Sequence, residues 1–104
     1  MTNGCCLGAG PLDHAQANDI AQQFACLADP TRLRLLSLIA AGGCRPISAG
    51  ELVEPLGVGQ PTVSHHLKKL VDAGLLTRSP DGRRAFYAVN PGPFAELRGV
   101  LQLS

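Results

Sequence analysis

The sequence predicts a mainly α, winged helix-turn-helix domain, with about five helices and a two-stranded β-hairpin wing. Three observations carry this expectation. Two helical segments are separated by the tight turn Gly57-Val58-Gly59. The second is followed by the hairpin signal Pro80-Asp81-Gly82-Arg83, set between the strand-like runs Leu75–Ser79 and Arg84–Val89. Positive charge gathers in the same stretch. From Gln60 to Val89, Lys68, Lys69, Arg78, Arg83 and Arg84 face only Asp72 and Asp81, in a chain whose formal net charge is just +1.

Taken in order, residues 1–14 hold Gly4, Gly8, Gly10 and Pro11 and are expected to form an irregular, cysteine-containing arm ahead of a domain over residues 15–104. A helical pattern starts at Asp19, with Ile20, Phe24 and Leu27 at helical spacing. Asp29-Pro30 stops that helix and starts another, since Asp29 can cap and Pro30 suits the first helical position. Leu33, Leu36 and Ile39 share one face of this second helix, with Leu35 and Leu38 beside it, and Gly42-Gly43 ends it. Ser48-Ala49-Gly50-Glu51 has the capping-box spacing and opens a short helix to about Leu56. Pro61 opens the next, which Gly74 closes after Ala73. Beyond the hairpin, Asn90-Pro91 is a break, and Phe94, Leu97 and Leu101 mark a last helix over Phe94–Leu103.

The helix from Pro61 to Ala73 divides cleanly on a wheel of about 100° per residue. Val63, Leu67 and Leu70 cluster toward a core. His65 and Lys69 lie nearly opposite, flanked by Thr62 and Lys68, while His66 falls at the edge of the apolar face and reads as structural. A helix that enters the major groove needs short polar groups near its N-terminus for base edges and cations for phosphates. Gln60, Thr62, Ser64 and His65 supply the first, and Lys68 and Lys69 the second. Arg83 and Arg84 stand where a wing would reach phosphate or the minor groove. Double-stranded DNA is the expected partner.

Composition bounds the remainder. With 104 residues, 45% of them hydrophobic and 4% aromatic, there is enough apolar material for one core of Leu, Val, Ile and Ala. A helical domain this small often completes its core by dimerising. The sequence has neither a membrane-length apolar run nor the basic and apolar regions of a signal peptide, so a cytoplasmic location is expected. There, Cys5, Cys6, Cys26 and Cys44 point to metal or redox chemistry in preference to a disulfide framework. No nucleophile–base–orienter set and no phosphate-binding glycine loop is visible, which argues against an enzyme.

Two stretches resemble a known family. The run from Phe24 to Leu36, FACLADPTRLRLL, is similar to the signature of ArsR/SmtB metalloregulators. QPTVSHHLKKL, Gln60 to Leu70, resembles that family's recognition helix and is followed by its usual Ala73-Gly74-Leu75-Leu76. The match spans roughly residues 19–101. The resemblance implies a homodimer joined through the first and last helices. It further implies a repressor that binds a twofold-symmetric operator and releases it when a toxic metal or metalloid binds.

The family's sensing sites must be sought residue by residue. Its Cys-x-Cys after a Glu-Leu pair has no counterpart in Glu51-Leu52-Val53-Glu54-Pro55-Leu56. The zinc site of the last helix is missing too, since that helix offers only Glu96 and no histidine. Cys44 resembles the third ligand of a branch of arsenic-responsive repressors that carry a Cys-Cys pair in the arm. The resemblance therefore implies that Cys5, Cys6 and Cys44 bind trivalent arsenic, with the arm reaching the other subunit. The chemistry agrees: thiolates are soft ligands, and As(III) or Sb(III), keeping a lone pair, is satisfied by three sulfurs where zinc prefers four ligands. Cd(II) or Pb(II), a thiol redox switch, or a metalloid carrier that binds no DNA are the alternatives. Cys26, beside Phe24 and Leu27, is expected to be a small core residue, and His14 a solvated one.

Overall fold

The computed structural model describes residues 11–43 and 45–101. Cys5, Cys6 and Cys44 lie outside the described residues. The chain runs through helix α1 (His14–Leu27), α2 (Pro30–Ala41), strand β1 (Ile47–Ser48), α3 (Ala49–Leu56), α4 (Gln60–Asp72), β2 (Leu76–Asp81), β3 (Arg84–Val89) and α5 (Pro91–Leu101). This is a winged helix-turn-helix, with α3 and α4 as the turn-linked pair.

α1 begins five residues before the expected Asp19, inside the stretch read as arm. Its start is set by a capping box: Gln16 N donates to Asp13 Oδ1 at 2.8 Å, and Asp13 N donates to Gln16 Oε1 at 2.9 Å. Every residue from His14 to Asp19 is exposed, so the first turn carries no apolar repeat for a periodicity reading to find. α2 starts as expected, with Asp29 Oδ1 accepting from Thr31 N and Arg32 N and Pro30 in the first turn. Its buried face is a correction: Leu35 and Ile39 are buried, whereas Leu33 is 53% exposed. With leucines on both candidate stripes, the choice is made by the α3 and α4 surfaces that α2 packs against.

The wing differs in two ways. β2 and β3 continue to Asp81 and Arg84, leaving the two-residue turn Gly82-Arg83 with Gly82 at φ +63°, a conformation that suits glycine. Ile47 and Ser48 add a third antiparallel strand, paired with Tyr87 and Phe86, so the sheet order is β1-β3-β2. Two residues are too few for a period-2 pattern to register. α5 likewise starts at Pro91, three residues earlier than expected, because the first turn of a helix tolerates proline.

One core joins all of these elements. Ile20, Leu35, Ile39, Leu52, Leu56, Val63, Leu67, Leu70, Leu75, Leu76 and Leu97 are buried in it, and Phe24, Cys26 and Leu27 pack against its edge. Polar ties lock the layers at helix ends, where carbonyls lack helical partners. Arg34 of α2 donates to Pro55 O and Leu56 O at 3.2 and 3.4 Å, closing the end of α3. Asn90 donates from its backbone to Leu75 O and from Nδ2 to Gly74 O, at 3.0 and 2.8 Å, fixing the exit of α4 against the base of the wing. No helix among the described residues is long and apolar enough to cross a membrane.

Candidate nucleic-acid interface

Gly57, at φ +72°, and Gly59, the N-cap of α4, turn the chain sharply enough for α4 to leave α3 with Val63, Leu67 and Leu70 facing inward. All three are completely buried, as the wheel predicts. The opposite face is open, and Gln60, Thr62, Ser64, His65, Lys68 and Lys69 are all exposed along it. The two histidines separate as expected. His65 points to solvent, while half-buried His66 accepts at Nδ1 from Arg32 Nε at 3.1 Å.

The wing lies beside the start of this helix. A groove of about 330 Å³ runs between the α3 N-terminus, the first turns of α4 and the wing, and Gln60, Ser64, Arg83 and Arg84 all border it. Residues separated by some twenty positions in sequence thus share one concave, cation-rich surface. The two arginines behave differently. Arg83 occupies the exposed turn, whereas Arg84 reaches back, Nη2 donating to Ser48 Oγ at 3.4 Å with the guanidinium 5.6 Å from the Phe86 ring centroid.

Sequence reasoning missed two features of this face. Lys68 is held by Asp72 one helical turn away, at 3.1 Å, a pairing visible in the i,i+4 spacing. Arg78 and Tyr87 flank a second concavity with Ser64 and Lys68, which adds Arg78 to the cations available. Only strand register could have placed Arg78 there, opposite Tyr87.

Cys26 is half-buried at the core edge, its Sγ 3.6 Å from Lys69 O, as befits a small packing residue. Among the described residues no three His, Cys, Asp or Glu side chains converge to hold a metal ion. α1 and α5 enclose an open groove of about 780 Å³ lined by Phe24, Leu27, Phe94, Leu97, Arg98 and Leu101, mostly apolar and ending at a Leu101 that is 65% exposed.

Known proteins share this arrangement. A family described as "Helix-turn-helix domain" matches residues 27–79. The "Probable mercury resistance operon repressor" of Streptomyces lividans is 43% identical over 77 residues, covering 74% of this chain and 59% of that protein. The "Arsenical resistance operon repressor" of Staphylococcus xylosus is 41% identical over 64 residues, 62% of this chain and 59% of the relative. Among solved structures, that of the AntR antimony-specific transcriptional repressor superposes with a TM-score of 0.70 at 29% identity, covering 88% of this chain and 83% of its own. The chain belongs to the ArsR/SmtB family of winged-helix regulators. It spans about three fifths of the length of these first two curated relatives. Within the ArsR/SmtB fold, the family match over residues 27–79 takes in α2, α3, α4 and the start of β2.

Proposed function

We propose that this chain is a homodimeric transcriptional repressor that binds a twofold-symmetric operator and leaves it when trivalent arsenic or antimony binds Cys5, Cys6 and Cys44. The observation that carries the DNA-binding half is the shared groove. Gln60 and Ser64 of α4 border the same concavity as Arg83 and Arg84 of the wing, so one surface offers base-reading groups and phosphate-binding cations together. The apolar groove between α1 and α5 supports the dimer, since a second copy would cover Leu101 and its neighbours.

The metalloid half is supported by the resemblance of the Cys5-Cys6 pair and Cys44 to a three-sulfur site, and by relatives named for arsenical resistance and antimony specificity. The apo dimer holds the operator. Ligand ties the arm of one subunit to the Cys44 loop of the other. Release follows only if the ligated geometry binds DNA less well, because a ligand shifts an equilibrium by its differential affinity alone. Couplings of this kind run at about 1–3 kcal/mol.

A second reading keeps the thiols and the DNA but exchanges the ion, because the relative from Streptomyces lividans is named for mercury. Both readings meet in one experiment. DNase footprinting on the chain's own upstream region identifies the operator. Its affinity is then measured with arsenite, antimonite, Hg(II), Cd(II) and Pb(II) for wild type and for Cys5→Ser, Cys6→Ser and Cys44→Ser. Release by arsenite that each serine variant abolishes supports the proposal. Unchanged release from Cys44→Ser sinks the three-sulfur site, and release by Hg(II) alone transfers the sensor to mercury.

A further inference from the structure

Among the described residues, Ser48 is the only buried polar residue, at 5% exposure. Its backbone ends strand β1 and caps α3, and its hydroxyl is used in both directions. The Oγ donates to Glu51 Oε2 at 3.1 Å and accepts from Arg84 Nη2 at 3.4 Å. Glu51 is held in turn by Ser48 N at 2.9 Å and by Arg45 Nη2 at 3.5 Å. The result is an alternating chain of cation, carboxylate, hydroxyl and cation: Arg45, Glu51, Ser48, Arg84. From Arg84 through Ser48 to Glu51 the bonds donate in one direction and strengthen each other, while Arg45 donates to the other carboxylate oxygen.

Two further facts give this chain a direction. Ser48 is paired in the sheet with Phe86, the residue over whose ring the Arg84 guanidinium lies. Arg84 is therefore fixed from two sides, at the border of the groove it shares with Gln60 and Ser64. An arginine already held in place loses less side-chain freedom when it meets a phosphate than one that waves in solvent. At the other end, Arg45 directly follows Cys44, and Ser48 stands four residues beyond it.

We infer that Ser48 is a positioning residue for DNA binding: it presets Arg84 and strand β3 against the recognition helix, and through Glu51 and Arg45 it ties that setting to the segment carrying Cys44. The second half rests on the function proposed above. When the segment around Cys44 is drawn to a ligand, Arg45 and strand β1 are the first groups displaced, and Arg84 loses its anchor.

The test is a double-mutant cycle on the footprinted operator duplex, using Ser48→Ala, Arg84→Gln and both together, with Ser48→Thr restoring the hydroxyl. Circular dichroism and urea titration of each confirm a folded protein. Arg84→Gln is expected to reduce the slope of log affinity against log salt by about 1. Ser48→Ala is expected to weaken binding about three- to tenfold, with Ser48→Thr near wild type and the double variant no worse than Arg84→Gln alone. Additive effects, or a wild-type salt slope in Arg84→Gln, overturn the positioning role. For regulation, Ser48→Ala should bind arsenite like wild type in equilibrium dialysis yet show a smaller arsenite-induced loss of operator affinity. An unchanged loss overturns the link to the Cys44 segment. If arsenite fails to release even the wild type, the metalloid reading and this link fall together, and the cycle still decides the role of Ser48 on DNA.

Discussion

Arg32 Nε donates to His66 Nδ1 across 3.1 Å, joining the start of α2 to the middle of the recognition helix. The same guanidinium donates from Nη1 to Cys26 O, at 3.2 Å, in the last turn of α1. α1 reaches α4 directly as well, through Cys26 Sγ on Lys69 O and Gln23 Nε2 on Ala73 O, the latter at 3.5 Å. α1 and α4, the helix proposed to meet DNA, are thus strapped together on their polar edges.

The strap predicts opposite behaviour for adjacent histidines. Arg32→Ala removes a half-buried charged donor with two acceptors, and the cost should be about 1–3 kcal/mol in urea denaturation. His66→Leu should show a loss of the same order, because it leaves the guanidinium unpartnered on that side, and His66→Asn should recover part of it. His65→Ala should stay within about 0.5 kcal/mol of wild type while weakening operator binding. Equal stability losses at positions 65 and 66 would contradict the division.

Asp72 holds Lys68 at 3.1 Å on the exposed face of α4, with side chains 75% and 61% exposed for lysine and aspartate. Surface pairs of this kind are worth only about 0–1 kcal/mol, so little stability depends on the contact. Its effect on DNA should be larger, because Asp72 places a negative charge among the cations proposed to meet phosphate. Asp72→Asn is expected to tighten operator binding several-fold at 0.1 M salt, with the gain shrinking as salt rises. Fluorescence anisotropy across a salt series checks it, and weaker binding would mean that Asp72 orients Lys68 productively.

Acid should loosen the two caps that frame the helix-turn-helix. The Asp29 carboxyl is held below its usual range chiefly by the Arg32 amide, with the Thr31 amide adding to it. Glu51 is lowered by the Ser48 amide and hydroxyl and then by Arg45. A carboxylate with a lowered folded pKa stabilises the native state above its unfolded value, about 4, and the contribution disappears as pH falls through the folded value. In urea titrations the share of stability supplied by these two caps should therefore persist from pH 7 to 5 and be lost below about pH 4. Asp29→Asn and Glu51→Gln should lower the midpoint at pH 7 and flatten the acid slope. A slope unchanged in both variants would assign acid sensitivity to other groups.

Most of the fold is legible in the sequence where local chemistry is decisive. Asp29-Pro30, Ser48 with Glu51, and Gly57 and Gly74 each mark an element boundary through a capping or turn geometry that few residues can supply. The wheel of α4 reads correctly because its apolar residues occupy one stripe only. α2 fails that test, since leucines at positions 33, 35, 36 and 38 offer competing faces and tertiary packing selects among them. β1 escapes because its two residues become a strand only when β3 arrives from forty positions away. The candidate interface shows the same division. Exposure of Gln60, Thr62, Ser64, His65, Lys68 and Lys69 follows from helical period, whereas the tether of Arg84 to Ser48 depends on that long-range pairing.

That short strand also governs the mechanics of the wing. A two-stranded hairpin would swing from its base like a long flap. With Ile47 and Ser48 clasping β3 at Tyr87 and Phe86, the pivot moves outward and only the stretch from Pro80 to Ala85 projects beyond it. At about 3.4 Å per residue, the remaining lever arm is on the order of 10 Å. Any angular wobble then displaces the tip by a correspondingly smaller distance. The wing is a stubby, braced finger whose direction is set when the protein folds.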